Sequence, residues 1–463
     1  MTVSSSRISH RKDAVPDAEP VHTVSRLAPL VTVFLVSLVI PFVFQLGPLR
    51  FSAYRVLLFV MTIPLVMLWL SGRAGRIRLS DIALFLMCFW IVLSYTVIHG
   101  LAVAIEPGGI TFVQTMGAYL LARVYVRTPE DFLKVVQLLF WIIAGFLPFA
   151  VFEAVTGRDL ALEIFDAIYT SYYSFDTEPR WGLRRVQLVF EHPILYGVFC
   201  SSIVAMAYFV LGHGRAFVRR LIQTFLVIFA AGLSLSSGPL TAMGAQLGLI
   251  AWGRVFNSFR MRWYALAGMA LSAVLVIEAF SNRTVPQILI SFVAFRKSSA
   301  WNRLRIWDYG SASVADHPLF GIGQNDWVRP RFMPASIDMF WLVPAVKHGL
   351  PSALFLQIAF FGVFLTVLFR KGLNPRDADY RTGYLISMMG LYLAGWTVHY
   401  WNSVYVLLMF LLGCGYCFLS DRREPTAPPP ADQGQPMESG TAKAREPSRY
   451  RRQLRTASEG GGS

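Results

Sequence analysis

Long apolar runs dominate this chain, and the short stretches between them hold nearly all of its charge. A run of about 20 apolar residues matches the thickness of a bilayer core. In lipid the backbone must satisfy its own hydrogen bonds, so such runs form helices. The runs lie at about 27–46, 53–70, 80–99, 108–125, 132–155, 193–211, 219–236, 239–253, 262–281, 341–369, 383–401 and 403–420. They predict an all-α polytopic membrane protein with about twelve transmembrane helices. The first run is too long and lies too deep in the chain for a cleaved signal peptide, and no small-residue cleavage site follows it. Ser236-Ser237-Gly238-Pro239 reads either as a tight turn between two short helices or as a break in a longer one.

A net charge of +15 fits nucleic acid at first sight, but its distribution fits topology better. Alternate connections carry the basic residues. They are Arg7, Arg11, Lys12 and Arg26; Arg73, Arg76 and Arg78; Arg123, Arg127 and Lys134; Arg215, Arg219 and Arg220; Arg254, Arg260 and Arg262; and Arg370, Lys371, Arg376 and Arg381. Short cytoplasmic loops retain Lys and Arg, so both termini are expected in the cytoplasm. No nucleic-acid partner is expected. Cys88, Cys200, Cys414 and Cys417 all fall within apolar runs, where packing is the expected role and no disulfide framework is implied.

Residues 1–24 are polar and rich in Ser and charge, and residues 421–463 are Pro-rich and then Arg-rich. Neither segment has enough apolar surface to bury, so both are expected to be disordered cytoplasmic tails around a membrane domain at 25–420. The cluster Arg445, Arg449, Arg451, Arg452 and Arg455 fits either a solvated tail or contact with anionic headgroups.

Two connections, about 156–192 and 282–340, are long and fall on the non-cytoplasmic side. Long loops are where function concentrates. Within the second, Val285 to Phe295 is too short to span and reads as an interfacial helix. The first loop carries Arg180, Arg184 and Arg185, and the second Arg296, Lys297, Arg303, Arg305, Arg329, Arg331 and Lys347. Topology does not retain cations there. Arg offers a planar fork that matches phosphate oxygens, so a lipid diphosphate is a natural partner. The plainer alternative is pairing with Asp176, Glu178, Asp308, Asp316 and Asp326, or with outer-leaflet headgroups.

Two local patterns stand out. One is Arg185-Val-Gln-Leu-Val-Phe-Glu-His-Pro193, leading into a span. The other is Arg303-Leu-Arg305-Ile-Trp307, then Asp316-His-Pro-Leu-Phe-Gly321-Ile-Gly323, then Asp338-Met-Phe-Trp-Leu342 and Gly349. Over about Arg180 to Gly349 the chain resembles the O-antigen ligase and polymerase superfamily of bacterial membrane glycosyltransferases. That resemblance implies a multi-pass enzyme of the bacterial inner membrane. It implies a glycan taken from an undecaprenyl diphosphate carrier at the periplasmic face, without metal or cofactor, beside other polysaccharide-assembly proteins. There are two departures. The family's His-Asn before the Leu and Gly is missing, and Asp338 stands where the His would be. The Ser-Arg-Gly at the external end of a middle span appears as Ser237-Gly238-Pro239 without its Arg, a contact that Arg303 or Arg305 is expected to replace.

The expected catalytic residues are Asp338 as base, with Arg185, Arg303 and Arg305 stabilising the leaving diphosphate. Arg180, Arg184, Glu191, His192, His317 and Trp307 are expected to bind substrate, and Glu191, His192 and His317 stand behind Asp338 as alternative bases. For Asp338 the plainer role is a helix N-cap, and for His317 a turn residue. Trp181, Trp301, Trp307, Trp327 and Trp341 fit sugar stacking or an interfacial aromatic belt. The missing His-Asn favours a polymerase of lipid-linked repeat units over a ligase. A transporter or flippase is the third reading. Gly72-Arg-Ala-Gly75-Arg76 resembles a major-facilitator loop motif, but its Asp is absent and few charges lie deep in the spans.

Overall fold

A computed structural model describes residues 27–47, 49–171, 177–282, 284, 287–288 and 297–419. The two expected tails, most of the apolar piece at 285–295, Asp176 and Arg296 lie outside the described residues. The chain is mostly helical, with one two-stranded hairpin. The first helices are α1 (Pro29–Ser37), α2 (Ala53–Leu70), α3 (Leu79–His99), α4 (Leu101–Phe112), α5 (Ala118–Tyr125), α6 (Pro129–Thr156) and α7 (Leu160–Asp166). Then come α8 (Pro193–Ser201), α9 (Val204–Met206), α10 (Phe217–Gly232), α11 (Ser237–Val255), α12 (Arg262–Phe280), α13 (Lys297–Asp316), α14 (Val343–His348), α15 (Leu350–Leu368), α16 (Pro375–Gly395) and α17 (Asn402–Cys414).

Among the described residues, six helices are long and apolar enough to cross a membrane: α2, α3, α6, the stretch Pro193–Leu211, α12 and α15. The other expected spans are also helical, but they are shorter, less apolar or broken. Their breaks have local causes. The run at 27–46 stops being helical at Ser37, because Pro41 has no amide to donate and pushes its predecessor out of the helical region. The chain then turns through Val43–Leu46 and Leu49–Ser52, an antiparallel hairpin. The run at 341–369 divides into α14 and α15 at Gly349, whose φ is +83°. A β-carbon there would sit 1.9 Å from the Leu319 carbonyl oxygen, so only glycine fits. The run at 383–401 gives a helix that starts earlier, at Pro375 behind an Asn374 cap, and ends at Gly395. Residues 219–253 form two helices whose break falls at 233–236, ahead of Gly238-Pro239, with Leu235 at φ +46°.

The stretch Pro193–Leu211 is the centre of the bundle, with 94% of it buried. It is not a regular helix. It loosens at Ser202–Ile203 and ends in a π-turn at Ala207–Leu211. Buried backbone groups freed by such a break need a partner. Gln246 of α11 supplies it: its Oε1 accepts from the Ala205 amide at 2.9 Å and from Ser387 Oγ at 3.1 Å, and its Nε2 donates to the Ser201 carbonyl at 2.7 Å. Gly390 leaves room for that side chain.

At the opposite end from the site described below, Asp81 and Arg123 form a buried ion pair at 3.0 Å. Trp69 Nε1, the Arg78 amide and the Tyr119 hydroxyl also donate to Asp81, and the Arg123 guanidinium lies 3.8 Å over the Tyr416 ring. The pair ties α2, α3, α5 and the chain beyond α17 together. Removing one partner leaves a buried charge uncompensated, which costs about 3–5 kcal/mol. Asp81→Ala is therefore expected to lower the melting temperature of the purified protein strongly. A melting temperature within error of wild type would contradict this role.

Candidate functional site

The connections at one end of the bundle converge on the turn at 233–237, between α10 and α11. Three guanidinium groups reach this turn. Arg180 Nη1 donates to the Leu235 carbonyl at 2.6 Å, Arg185 Nη2 to Ser236 Oγ at 2.8 Å, and Arg303 Nη2 to Ser237 Oγ at 2.7 Å. The turn is also the N-terminus of α11, where backbone amides favour an anion.

The sequence accounts for each placement. Buried Glu153, near the end of α6, accepts from the amides of Gln187 and Leu188, each at 3.0 Å. The Val186 amide bonds the Leu233 carbonyl at 3.1 Å. These bonds pin the extended segment before α8 and set the alternation of its side chains. Arg185 faces the turn. Arg184 lies instead beside the Glu153 and Asp159 carboxylates. Helix α13 sorts its arginines in the same way, since residues two apart on a helix cannot share a face. Arg303 is buried against the turn, with its Nη1 lacking a partner among the described residues. Arg305 is exposed, and its guanidinium lies over the Phe332 ring at 5.0 Å.

Gly238 brings the last connection in. A β-carbon on Gly238 would meet Val398 at 2.2 Å, so 396–401 packs directly on the turn. The Phe340 amide bonds the Val398 carbonyl at 3.0 Å, which carries Asp338 to the same place. Asp338 is partly buried and within electrostatic reach of Arg303. Burial raises the Asp338 carboxyl above its ordinary pKa, while Ser336 and Arg303 pull it back. Burial lowers Arg303 to about 10, against the attraction of Asp338 and with the repulsion of Arg180. Asp338 is not an N-cap, because residues 338–342 precede α14 without helical structure.

His192 caps the helix that starts at Pro193, its Nδ1 accepting from the Ile194 amide at 3.0 Å. Burial, with the Arg185 and Arg180 charges, pushes its imidazole down to about 4. Glu191 accepts from Trp401 Nε1 at 2.9 Å and from Asn402 Nδ2 at 2.5 Å. Trp307 packs edge-on against Trp396, with centroids 6.1 Å apart. His317 is exposed at the bend that ends α13, its amide bonding the Ser313 carbonyl and its carbonyl the Gly321 amide. The Pro318-to-Gly323 motif beside it is a packing joint. Its Ile322 and Gly323 amides bond the Val346 and Lys347 carbonyls, and a β-carbon on Gly323 would strike the His99 ring. Trp327 and Trp341 donate to backbone carbonyls of Ala335 and Tyr392 and are buried, whereas Trp181 and Trp301 are exposed.

One residue of the site was not expected from sequence. His399 lies between Phe340 and Trp401, near-parallel to both rings, and its Nδ1 is buried without a partner among the described residues. Burial pushes its imidazole down to about 4, so it is neutral at pH 7. Assigning 383–401 to one span hid it. Among the described residues no group of three His, Cys, Asp or Glu side chains is placed to hold a metal ion. The arrangement presents guanidinium, hydroxyl and helix-terminus donors on one side and a carboxylate and neutral imidazoles on the other. Groups of this kind can hold an anion and accept a proton beside it. Compared with models of known protein families and with curated protein sequences, the chain matches none.

The two imidazoles give a pH signature. The unfolded chain protonates an ordinary histidine near pH 6.5, whereas the folded His192 and His399 resist until about 4. Their contribution to stability is whole above about pH 6.5 and is lost as pH falls toward 4. The raised Glu153, Asp159 and Asp338 carboxyls have the opposite sign but are common to both proteins compared. Between pH 6.5 and 4 the melting temperature of wild type should therefore fall relative to that of His192→Gln/His399→Gln. An equal change in both would contradict the buried, neutral histidines.

Proposed function

We propose that the protein is a polymerase of lipid-linked oligosaccharide repeat units. It works at the external face of a bacterial inner membrane with both termini in the cytoplasm. It transfers glycan from an undecaprenyl diphosphate carrier into exopolysaccharide, capsule or O-antigen. The observation that carries this reading is the meeting of Arg180, Arg185 and Arg303 at the Ser236–Ser237 turn, with Asp338 beside Arg303. Three cations at a helix N-terminus suit a diphosphate, and a partly buried carboxylate next to them suits a hydroxyl about to react.

In this reading the acceptor hydroxyl attacks the anomeric carbon of the donor glycan. A carbon–oxygen bond forms to the acceptor, and the bond from that carbon to the diphosphate oxygen breaks. The hydroxyl proton passes to Asp338, and the electron pair leaves with the diphosphate. Arg185 and Arg303 stabilise that developing charge, which is where electrostatic preorganisation contributes most. His192 and His399, both neutral, hold hydrogen-bonding positions beside the acceptor. Arg305, Arg184 and His317 have no part in it, because they face elsewhere.

The test is the size distribution of glycan in a deletion strain complemented with variants. Arg185→Ala, Arg303→Ala and Asp338→Ala are each expected to lower long-chain product by at least about a hundredfold, the usual scale for losing a transition-state donor or a general base. Single repeat units should remain. Arg305→Ala should be nearly silent. Long chains that accumulate on the lipid carrier would mean a ligase instead. Full activity in all three site variants would remove the proposal and favour transport.

A further inference from the structure

An apolar pocket with two arginines in its lining lies beside the start of α2. Its walls are Phe51, Phe59, Ile105, Ile110 and Val113, around a cavity of about 370 Å³ between α2 and the α4 helix as it enters a π-turn. Arg50 and Arg55 also line it. A smaller cavity of about 100 Å³ continues from the same two arginines to Glu191 and Asn402.

Arg55 is held in place there. Its Nη1 donates to the Arg50 carbonyl at 2.9 Å and its Nη2 to Asn402 Oδ1 at 2.7 Å. With the Gln114 amide turned so that its oxygen faces the guanidinium, that oxygen accepts from Arg55 Nε at 2.8 Å. Asn402 sits at φ +50°, a costly conformation for a residue with a side chain, and it bridges Arg55 to Glu191. Glu191 adjoins His192, which feels the Arg185 and Arg180 charges. Hydrogen bonds therefore link Arg55 through Asn402 to Glu191, the residue before His192. Glu106 is the one acidic side chain on the pocket wall, and it is exposed.

We propose that this pocket binds the acceptor substrate, a second polyprenyl diphosphate carrying a repeat unit. The inference rests on the polymerase reading and extends it. In a polymerase both substrates are lipid-linked. The acceptor reacts through a sugar hydroxyl away from its own diphosphate, so that diphosphate needs a cationic site separate from the donor's. The Arg50–Arg55 pocket meets each requirement. It offers cations for the diphosphate, an apolar groove for the isoprenoid chain, and a polar continuation through Asn402 to Glu191 for the glycan. A phospholipid would use the cations and the groove but has no glycan to meet Glu191 and Asn402.

The test counts bound undecaprenyl diphosphate per protein by native mass spectrometry, with the full chain in phosphatidylcholine nanodiscs. Wild type is expected to bind two molecules. Arg50→Gln, on an exposed side chain, should weaken one of them by about tenfold or more, the scale of a charge-assisted hydrogen bond. Gly109→Leu should do the same by filling the groove without touching the arginines, since a β-carbon at Gly109 meets nothing within 4 Å. Glu106→Gln should tighten that molecule. Arg185→Gln/Arg303→Gln should remove the other. One bound molecule in wild type, lost only with Arg185 and Arg303, would overturn the acceptor pocket and leave the polymerase reading standing. Full displacement of the Arg50-dependent molecule by an equal amount of phosphatidylglycerol would overturn it in favour of a headgroup site. Two molecules indifferent to Arg185 and Arg303 would instead overturn the polymerase reading itself.

Discussion

The bonds that pin the turn at 233–237 are what the rest of this end of the molecule depends on. In a bundle of apolar helices a connection has few partners, and each buried polar group must find one. Here Glu153 holds the segment at 186–188, that segment bonds Leu233, and Arg180, Arg185 and Arg303 bind the turn itself. Gly238 then admits Val398, and Val398 draws in Phe340 and, with it, Asp338. Each contact fixes the next. The result gathers four chain segments, from widely separated parts of the sequence, around one small set of hydroxyl and amide donors.

A concentration of cations on so little backbone has a cost. Burial lowers the Arg303 pKa, Arg180 adds to that, and Asp338 opposes it. An anion at the turn would relieve the repulsion between Arg180 and Arg303, which is why the proposed function places one there. By contrast, the Asp81–Arg123 pair at the other end already balances its own charge, and its carboxylate also accepts from Trp69 and the Arg78 amide.

Parts of the fold were legible in the sequence and parts were not. Helices such as Ala53–Leu70 and Leu79–His99 follow from uninterrupted apolar length. The hairpin after Pro41 and the break at Gly349 carried local signals that hydropathy alone obscures. Arg303 and Arg305 were expected together, yet helical periodicity already separates residues two apart. The Gly321–Gly323 motif was legible as a motif, but its role as a joint against Lys347 and His99 depends on the packed neighbours. His399 and Arg55 had no signal of their own, because what marks them is burial and contact made by distant segments. Sequence also proposed Asp338 and the external arginines as one site without any means of testing their proximity.

The central claim is that Arg185 and Arg303 act on one anion. A double-mutant cycle on undecaprenyl diphosphate binding tests it most directly, using wild type, Arg185→Gln, Arg303→Gln and the double variant. Groups that share a ligand are coupled, so the loss in the double variant should differ from the sum of the single losses by at least about 0.5 kcal/mol. Strict additivity, or no loss in either single variant, would mean that the two guanidinium groups serve separate ends and that the cluster is not a diphosphate site.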